Sequence, residues 1–275
     1  MSLPEILDAG AVLAPLDASR IQAALPPGLR SLLHSIDVVA QTESTQLPAL
    51  AASPPPGRSA LFVAEQQTAG QGRLGRQWIS PAGCNLYVSL AYRFEGPPAR
   101  LAGLSLVTGI ALAEALRAVG CSRVGVKWPN DLVVDGRKLG GVLVQLRALP
   151  EGATLAAIGF GINVRMPAGI DDVIGQPWCE LAQLLPVLPS RNDLLAQILG
   201  DLLPALALFS DRGLAPFRPR WDALDALRGQ SARMINGDQQ TAGECLGIAD
   251  SGALRLRVGD EIREFHGGEV SLRSA

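Results

Sequence analysis

The sequence predicts an α+β protein with a small all-β unit at its C-terminal end. Three observations carry this. Five strand-like runs between Ile36 and Val164 are interrupted by one long apolar helix. A capped helix follows from Ser190. From Leu227 onward, short strand-like runs alternate with turn pairs. The 275 residues suffice for one large domain and a small one.

Residues 1–35 have weak helical periodicity broken by Pro26-Pro27 and read as an N-terminal extension. IDVVAQTEST (36–45) reads as a strand whose polar end opens a short helix, with Ser44 or Thr45 as N-cap. SPPPG (53–57) is a loop. ALFVAEQQ (60–67) and NLYVSLAYRF (85–94) read as strands. Residues 100–119 form a helix with too many apolar positions for one stripe, so it is largely buried. Val124–Leu146 reads as strands and tight turns, with Asp135-Gly136 a hairpin signal. LAAIGFGINV (155–164) is a buried strand. Ser190 caps a helix running from Arg191 to about Phe209, with Asp193 favourable near its start. Pro204 is expected to kink or divide it. Asn236-Gly237, Asp250-Ser251-Gly252, Gly259-Asp260 and Gly267-Gly268 then punctuate the strands of a small barrel. These boundaries divide the chain into 1–35, 36–226 and 227–275.

Composition excludes several classes. A formal net charge of −2 gives no global basic field for nucleic acid or a membrane surface. MSLPEILDAGAVLAP (1–15) lacks the basic start and continuous apolar core of a secretory signal. The apolar stretch Leu101–Ala113 is too short to span a bilayer and runs into Glu114 and Arg117. A soluble, cytoplasmic protein is expected. Cys84, Cys121, Cys179 and Cys245 form no C-x-x-C, which argues against a disulfide frame or a zinc site. His34 and His266 sit in no site motif, so histidine-based chemistry is not expected.

GQGRLGRQW (70–78) has the spacing of a dinucleotide-binding turn. That turn needs a helix straight after its glycines, to receive a pyrophosphate. Here Pro81, Gly83 and a strand follow instead. No Gly-Lys-Ser/Thr supports a P-loop either. Two readings of the loop stay open on its own residues. Glycines suit a loop that folds closely over a ligand, and arginines suit phosphate oxygens. A solvated hairpin tip has the same composition.

A second segment weighs on the choice. KWPNDL (127–132) is followed by RKLGG (137–141), and a turn at Asp135-Gly136 brings Lys127 and Lys138 together. These are the only two lysines of the chain. STQ (44–46), EQQTAGQGRLGRQW (65–78), KWPNDL, RKLGGVLVQ (137–145), GFGINV (159–164) and GGEVSLR (267–273) together resemble biotin–protein ligase, in motif order. The resemblance covers about residues 36–275. It implies a mixed β-sheet flanked by helices, of the kind shared with class II aminoacyl-tRNA synthetases and lipoate ligases, then an SH3-like barrel.

The implied reaction forms biotinyl-5′-AMP from biotin and ATP, then transfers biotin to a lysine of the biotin carboxyl carrier protein of acetyl-CoA carboxylase. Mg²⁺ accompanies ATP, with no protein ligand assigned. By resemblance, Lys138 bridges the biotin carboxylate and the α-phosphate. Arg73 and Arg76 belong to a loop that closes on the adenylate, with Gln71 and Gly72 beside Arg73 on its biotin side. Ser44, Thr45 and Gln67 hydrogen-bond the ureido ring. Trp78 lines the adenine side, and Asn130 and Asn163 face the nucleotide and its metal. Asp131 orients or deprotonates the incoming lysine, or serves only as a turn carboxylate. Gly159 and Gly161 let the strand backbone approach biotin. Gln71 stands where the family usually has arginine, and Gln46 where it has asparagine, which leaves both contacts open.

The residues before Ile36 include the Pro26-Pro27 pair and no basic recognition helix, so direct DNA binding is not expected. A homodimer by sheet-edge pairing is an expectation of the family. Two competing readings remain. One is a lipoate or octanoate ligase, and the other a non-catalytic protein that senses biotinyl-AMP.

Overall fold

The structure, a computed structural model, describes residues 13–236 and 239–272. Residues 1–12, Gly237, Asp238 and 273–275 lie outside the described residues, as do the expected chain start, the Asn236-Gly237 turn and the last residue of GGEVSLR. The Asp17 carboxylate accepts the Arg20 N–H and opens α1 (Ala18–Ala24). Pro27 starts the short α2 (Pro27–Arg30), where a missing N–H is tolerated. The strand expected from Ile36 begins earlier, as β1 (Leu33–Val39). Next come α3 (Gln46–Ala51), β2 (Ser59–Ala64), β3 (Leu86–Phe94) and α4 (Leu104–Ala118). They are followed by β4 (Gly125–Lys127), β5 (Asp131–Val134), β6 (Arg137–Ala148) and β7 (Thr154–Ile162).

These strands form one seven-stranded mixed sheet in the order β1-β2-β3-β7-β6-β5-β4. Only β1 and β2 run parallel. Asp135 and Gly136, at φ 49° and 75°, turn the hairpin between β5 and β6 as expected.

Side-chain alternation sets the layers. Leu61, Leu90, Ile158 and Phe160 point to one face and join the main core. Ala60, Ala91 and Ala157 point to the other and pack with Ala49 of α3. Small residues there let α3 lie close on the sheet. After α5 (Asp171–Ile174) and α6 (Leu181–Leu184), α7 (Arg191–Arg212) packs on α4 and α1. Ser190 caps it, accepting the Asp193 N–H at 3.1 Å.

Two expectations change here. The helix α7 runs on through Pro204 without division. Pro204 is on the exposed side, one turn after Gly200, so water can satisfy the carbonyl that loses its partner. The helical stretches Pro98–Ala118 and Arg191–Arg212 are each long and apolar enough to cross a bilayer, unlike the shorter stretch counted from the sequence. Their apolar residues instead form this core: Leu112, Leu116, Leu199 and Leu206 are all fully buried.

After α8 (Arg218–Asp222) the chain forms a separate antiparallel sheet. It comprises β8 (Ser231–Asn236), β9 (Gln239–Ile248), β10 (Leu254–Val258), β11 (Glu261–Phe265) and β12 (Glu269–Leu272), in the order β11-β10-β9-β8-β12. This is the all-β, SH3-like unit expected. Trp128 Nε1 donates to its Gly252 carbonyl at 3.0 Å, and Val270 reaches the cavity described next.

Candidate active site

Cross-strand register builds the site. Directly paired residues share a face of a sheet. Lys127 pairs with Asp131, Asp131 with Gly141, and Gly141 with Gly161. These four residues therefore form one row across β4, β5, β6 and β7. The neighbouring row on the same face runs Leu143–Gly159–Ser89. The two rows are two strand residues apart, about 7 Å.

Lys138 lies on β6 where the pairing with β5 slips by one residue. Such a bulge re-aims a side chain, and Lys138 Nζ meets Asp131 Oδ1 at 2.8 Å. Lys127 Nζ lies 3.5 Å from Asp131 Oδ2. One carboxylate thus holds both lysines of the chain, and the cluster keeps one net positive charge. Asp131 and Lys138 are only 14% and 19% exposed, so water screens them weakly.

The glycine-arginine loop covers this end. It is a short hairpin: the Gly72 N–H donates to the Arg76 carbonyl at 2.7 Å, and the Trp78 N–H to the Gly70 carbonyl at 2.8 Å. Gln71 pairs with Gln77 across it. Its tip is a single 3-10 turn, Arg73–Gly75, with Leu74 at φ 56°. No helix follows, as expected, so the dinucleotide geometry is absent. Arg73 Nη1 donates to Asn130 Oδ1 at 3.3 Å, and Asn130 Nδ2 donates to the Val142 carbonyl at 2.8 Å. Arg73, Arg76, Gln71 and Gly72 all line the cavity.

Trp78 lies directly on Gly161. A Cβ at position 161 would fall 2.5 Å from the indole, far inside contact distance. Lys138 Nζ stands 5.5 Å from the Trp78 ring centre, within cation–π range. Gly159 accommodates Gln46 in the same way, its missing Cβ lying 3.0 Å from the Gln46 amide. The protein's own side chains therefore occupy the space over both glycines.

The far end of the cavity is uncharged and rich in hydrogen-bonding groups. Gln67 Oε1 accepts the Thr45 N–H at 2.9 Å and the Thr45 hydroxyl at 3.2 Å. Thr45 Oγ1 also lies 2.8 Å from Ser89 Oγ, and Gln67 Nε2 donates to Ser80 Oγ at 3.1 Å. Thr45 is the N-cap residue of α3 by position, yet its hydroxyl serves this network and caps nothing. Ser44 Oγ accepts the Gln46 N–H at 3.3 Å.

Asn163 meets the other expected site residues only at the Lys138 backbone, whose carbonyl its Nδ2 approaches at 3.5 Å. It is not among the cavity-lining residues, and its Nδ2 donates to the Cys179 carbonyl at 3.1 Å. Sequence reasoning missed Ser89 and Ser80. A lone serine at an inward position of the apolar run NLYVSLAYRF was the available signal for Ser89. The thiols supply no nucleophile: burial pushes Cys179 and Cys245 up to about 11, and Cys84 and Cys121 also upward. Among the described residues no group of three or more His, Cys, Asp or Glu forms a metal site.

The cavity thus has an uncharged, hydrogen-bonding end and a cationic end, a combination that suits a polar-headed acid together with phosphate groups. The class is a carboxylate-activating ligase. Residues 38–163 match the biotin/lipoate A/B protein ligase family, and residues 229–273 match the biotin protein ligase C-terminal domain. The chain is 40% identical to the bifunctional ligase/repressor BirA of Escherichia coli, over 100% of this chain and 81% of that protein. It is 35% identical to the biotin–[acetyl-CoA-carboxylase] ligase of Paracoccus denitrificans, over 80% of this chain and 93% of the relative. The biotin protein ligase of Aquifex aeolicus, solved in complex with biotin and ATP, superposes with a TM-score of 0.71 at 27% identity. That match covers 88% of this chain and 99% of the other. The chain belongs to the biotin/lipoate A/B protein ligase family.

Proposed function

We propose that this chain activates biotin with ATP as biotinyl-5′-AMP and transfers the biotinyl group to a lysine of a biotin carboxyl carrier protein. The observation that carries this reading is the two-ended cavity, with the Lys138–Asp131–Lys127 cluster one row across the sheet from Gln46, Gly159 and Ser89.

In the first step the biotin carboxylate attacks the α-phosphorus of ATP, and pyrophosphate leaves. A carboxylate is already ionised at pH 7, so the step needs no general base. It needs cations on the crowded oxygens and in-line placement. Lys138 supplies the central cation, held extended by Asp131. Arg73 and Arg76 close over the phosphate, while Trp78 and Asn130 serve the nucleotide side. Ser44, Thr45, Gln46 and Gln67 surround the ureido head. Gln71, Gly72, Gly159 and Gly161 complete the walls.

In the second step a carrier lysine attacks the anhydride carbonyl and AMP leaves. Asp131, between two ammonium groups, is placed to orient a third. Mg²⁺ belongs to the same proposal and would be held chiefly by the phosphates of ATP, with no protein ligand assigned. A homodimer through the sheet edge also belongs to it, because among the described residues no strand but β7 pairs with β6 beyond Val142.

Pyrophosphate release with biotin, lipoate or octanoate offered singly tests the reading. Biotin alone is expected to support it. Release with lipoate or octanoate at the biotin rate would point to the other branch of the family, and no release at all to a binding protein.

Arg73→Gly is expected to speed adenylate release by on the order of tenfold, because one charge-assisted contact is lost. Non-specific biotin labelling of a bystander protein measures it. Labelling no faster than with the unchanged chain would remove Arg73 from adenylate retention.

Self-labelling is expected to be slight. The only two lysine side chains are both committed to Asp131 inside the cavity. Peptide mass spectrometry after long incubation with biotin and ATP checks this. Substantial biotin on Lys127 or Lys138 would mean that these side chains are free.

A further inference from the structure

Lys127 lines the cavity with four other charged residues, Arg73, Arg76, Asp131 and Lys138. It is the one to which the reaction above gives no task. Its Nζ stands 3.5 Å from Asp131 Oδ2, while Lys138 Nζ takes Oδ1 at 2.8 Å. Each oxygen of the carboxylate thus has its own cation. The chain around Lys127 is held on both sides. The Val126 N–H donates to the Leu224 carbonyl at 2.8 Å, and the Val126 carbonyl accepts the Ala226 N–H at 3.0 Å. Trp128 is buried, with its indole N–H on the Gly252 carbonyl. The Ser105 hydroxyl donates to the Pro129 carbonyl at 3.2 Å. Lys127 therefore projects from a fixed backbone, and the β4–β5 register pairs it directly with Asp131.

The reaction asks different things of the two lysines. Lys138 has three N–H donors, and the phosphate of the adenylate draws them away from Asp131. Oδ1 then opens toward the amine of the carrier lysine. A lysine amine ordinarily titrates near pH ~10.4, so at neutral pH it arrives as an ammonium. Only the neutral amine attacks. A carboxylate with no cation of its own would hold the ammonium form and so oppose the step it orients. A carboxylate already paired through its other oxygen orients the amine with much less of that cost.

We propose that Lys127 is a positioning residue for the transfer step. It holds Asp131 by Oδ2 and balances its charge, so that Oδ1 orients the carrier amine without trapping it as an ammonium. The C–N bond then forms, and the acyl C–O bond breaks with its electron pair going to AMP. The two protons that the ammonium gives up pass to water. The charged groups around that amine are Lys127 on β4, Asp131 on β5, Lys138 on β6, and Arg73 and Arg76 on the glycine-arginine loop. Removing Lys127 takes one positive charge from this set, which raises the pH at which the bound ammonium loses its proton. The proposal rests on the biotin reading of the site and divides the labour between its two lysines.

The test uses the full chain, unchanged and as Lys127→Met and Lys127→Arg, with a biotin carboxyl carrier domain as acceptor. Biotinyl-5′-AMP is supplied preformed, so that single-turnover labelling of the carrier reads transfer alone, from about pH 7 to about pH 9.5. Pyrophosphate release from biotin and ATP is measured beside it. With Lys127→Met, transfer is expected to fall about thirtyfold at neutral pH and to come within about threefold of the unchanged chain at about pH 9.5. The fall in pyrophosphate release should be smaller by about tenfold. Lys127→Arg keeps the charge and should hold the neutral-pH transfer rate within about fivefold. Lys127→Gln replaces the methionine variant should that one not fold. A loss of the same size at every pH would mean a structural role and overturns the proposal. An equal loss in pyrophosphate release would make Lys127 a cation for ATP and also overturns it, as does no loss in either step. So does a Lys127→Arg rate as low as that of Lys127→Met. Failure of the unchanged chain to label the carrier from biotinyl-5′-AMP is a separate outcome, which brings down the biotin reading itself.

Discussion

Lys138→Ala is expected to lower biotin-dependent pyrophosphate release by on the order of 10²–10³-fold, about 3–4 kcal/mol in the transition state. Negative charge grows on the phosphate oxygens as the carboxylate attacks. The bulge in β6 holds Lys138 in the row where that charge develops. The loss should appear in the chemical step, since a cation that acts mainly on developing charge lowers kcat more than it raises KM. Asp131 keeps Lys127 as a partner, so the variant should stay folded. Thermal unfolding alongside single-turnover kinetics separates the two effects. Activity within about threefold of the unchanged chain would remove Lys138 from the mechanism.

The largest stability effect is expected at Arg191, far from the chemistry. Its side chain is fully buried at the start of α7. It donates to Glu65 Oε2 at 2.6 Å, Glu65 Oε1 at 3.1 Å, the Asn85 carbonyl at 3.1 Å and the Ala14 carbonyl at 2.9 Å. Glu65 also accepts the Leu16 N–H at 2.7 Å. One guanidinium thus joins the segment before α1, the end of β2 and the start of β3. Arg191→Met leaves the Glu65 carboxylate without its cation and should cost about 3–5 kcal/mol. That corresponds to a fall in Tm of roughly 6–20 °C for a chain of this size. Arg191→Met combined with Glu65→Leu should recover much of the loss, because the destabilisation comes from the unpaired charge. A double variant as unstable as the single one would show that the backbone contacts dominate instead.

The strands were legible because period-2 alternation and turn residues mark them locally. The Asp135-Gly136 hairpin and the failure of the glycine loop to start a helix followed from the same local chemistry. The Asp135-Gly136 turn placed the two lysines near each other. That signal could not say that one carboxylate holds both, since that depends on a one-residue slip between β5 and β6. The state of Gln46 was equally hidden. The sequence left its contact open, whereas in the structure its Nε2 donates to the Leu143 carbonyl and its Oε1 is buried without a partner, as is Trp78 Nε1. Asn163 shows a different limit. A motif position does not tell which way a side chain turns at a strand end, and here it ties down the Cys179 segment. The Glu65–Arg191 pair spans 126 positions and leaves no local trace. Pro204 does not divide the helix, because the penalty for proline depends on whether water reaches the freed carbonyl, and that is a matter of packing.

Transfer to the carrier is the most direct test of the central claim. Purified chain, ATP, Mg²⁺, biotin and a biotin carboxyl carrier domain are incubated, and the carrier is weighed by intact-mass spectrometry and mapped by peptide fragmentation. The expected result is one biotinyl group on one lysine of the carrier, dependent on ATP and absent with Lys138→Ala. A carrier that stays unmodified while the chain binds biotin and ATP, or one modified equally well by lipoate, would contradict it.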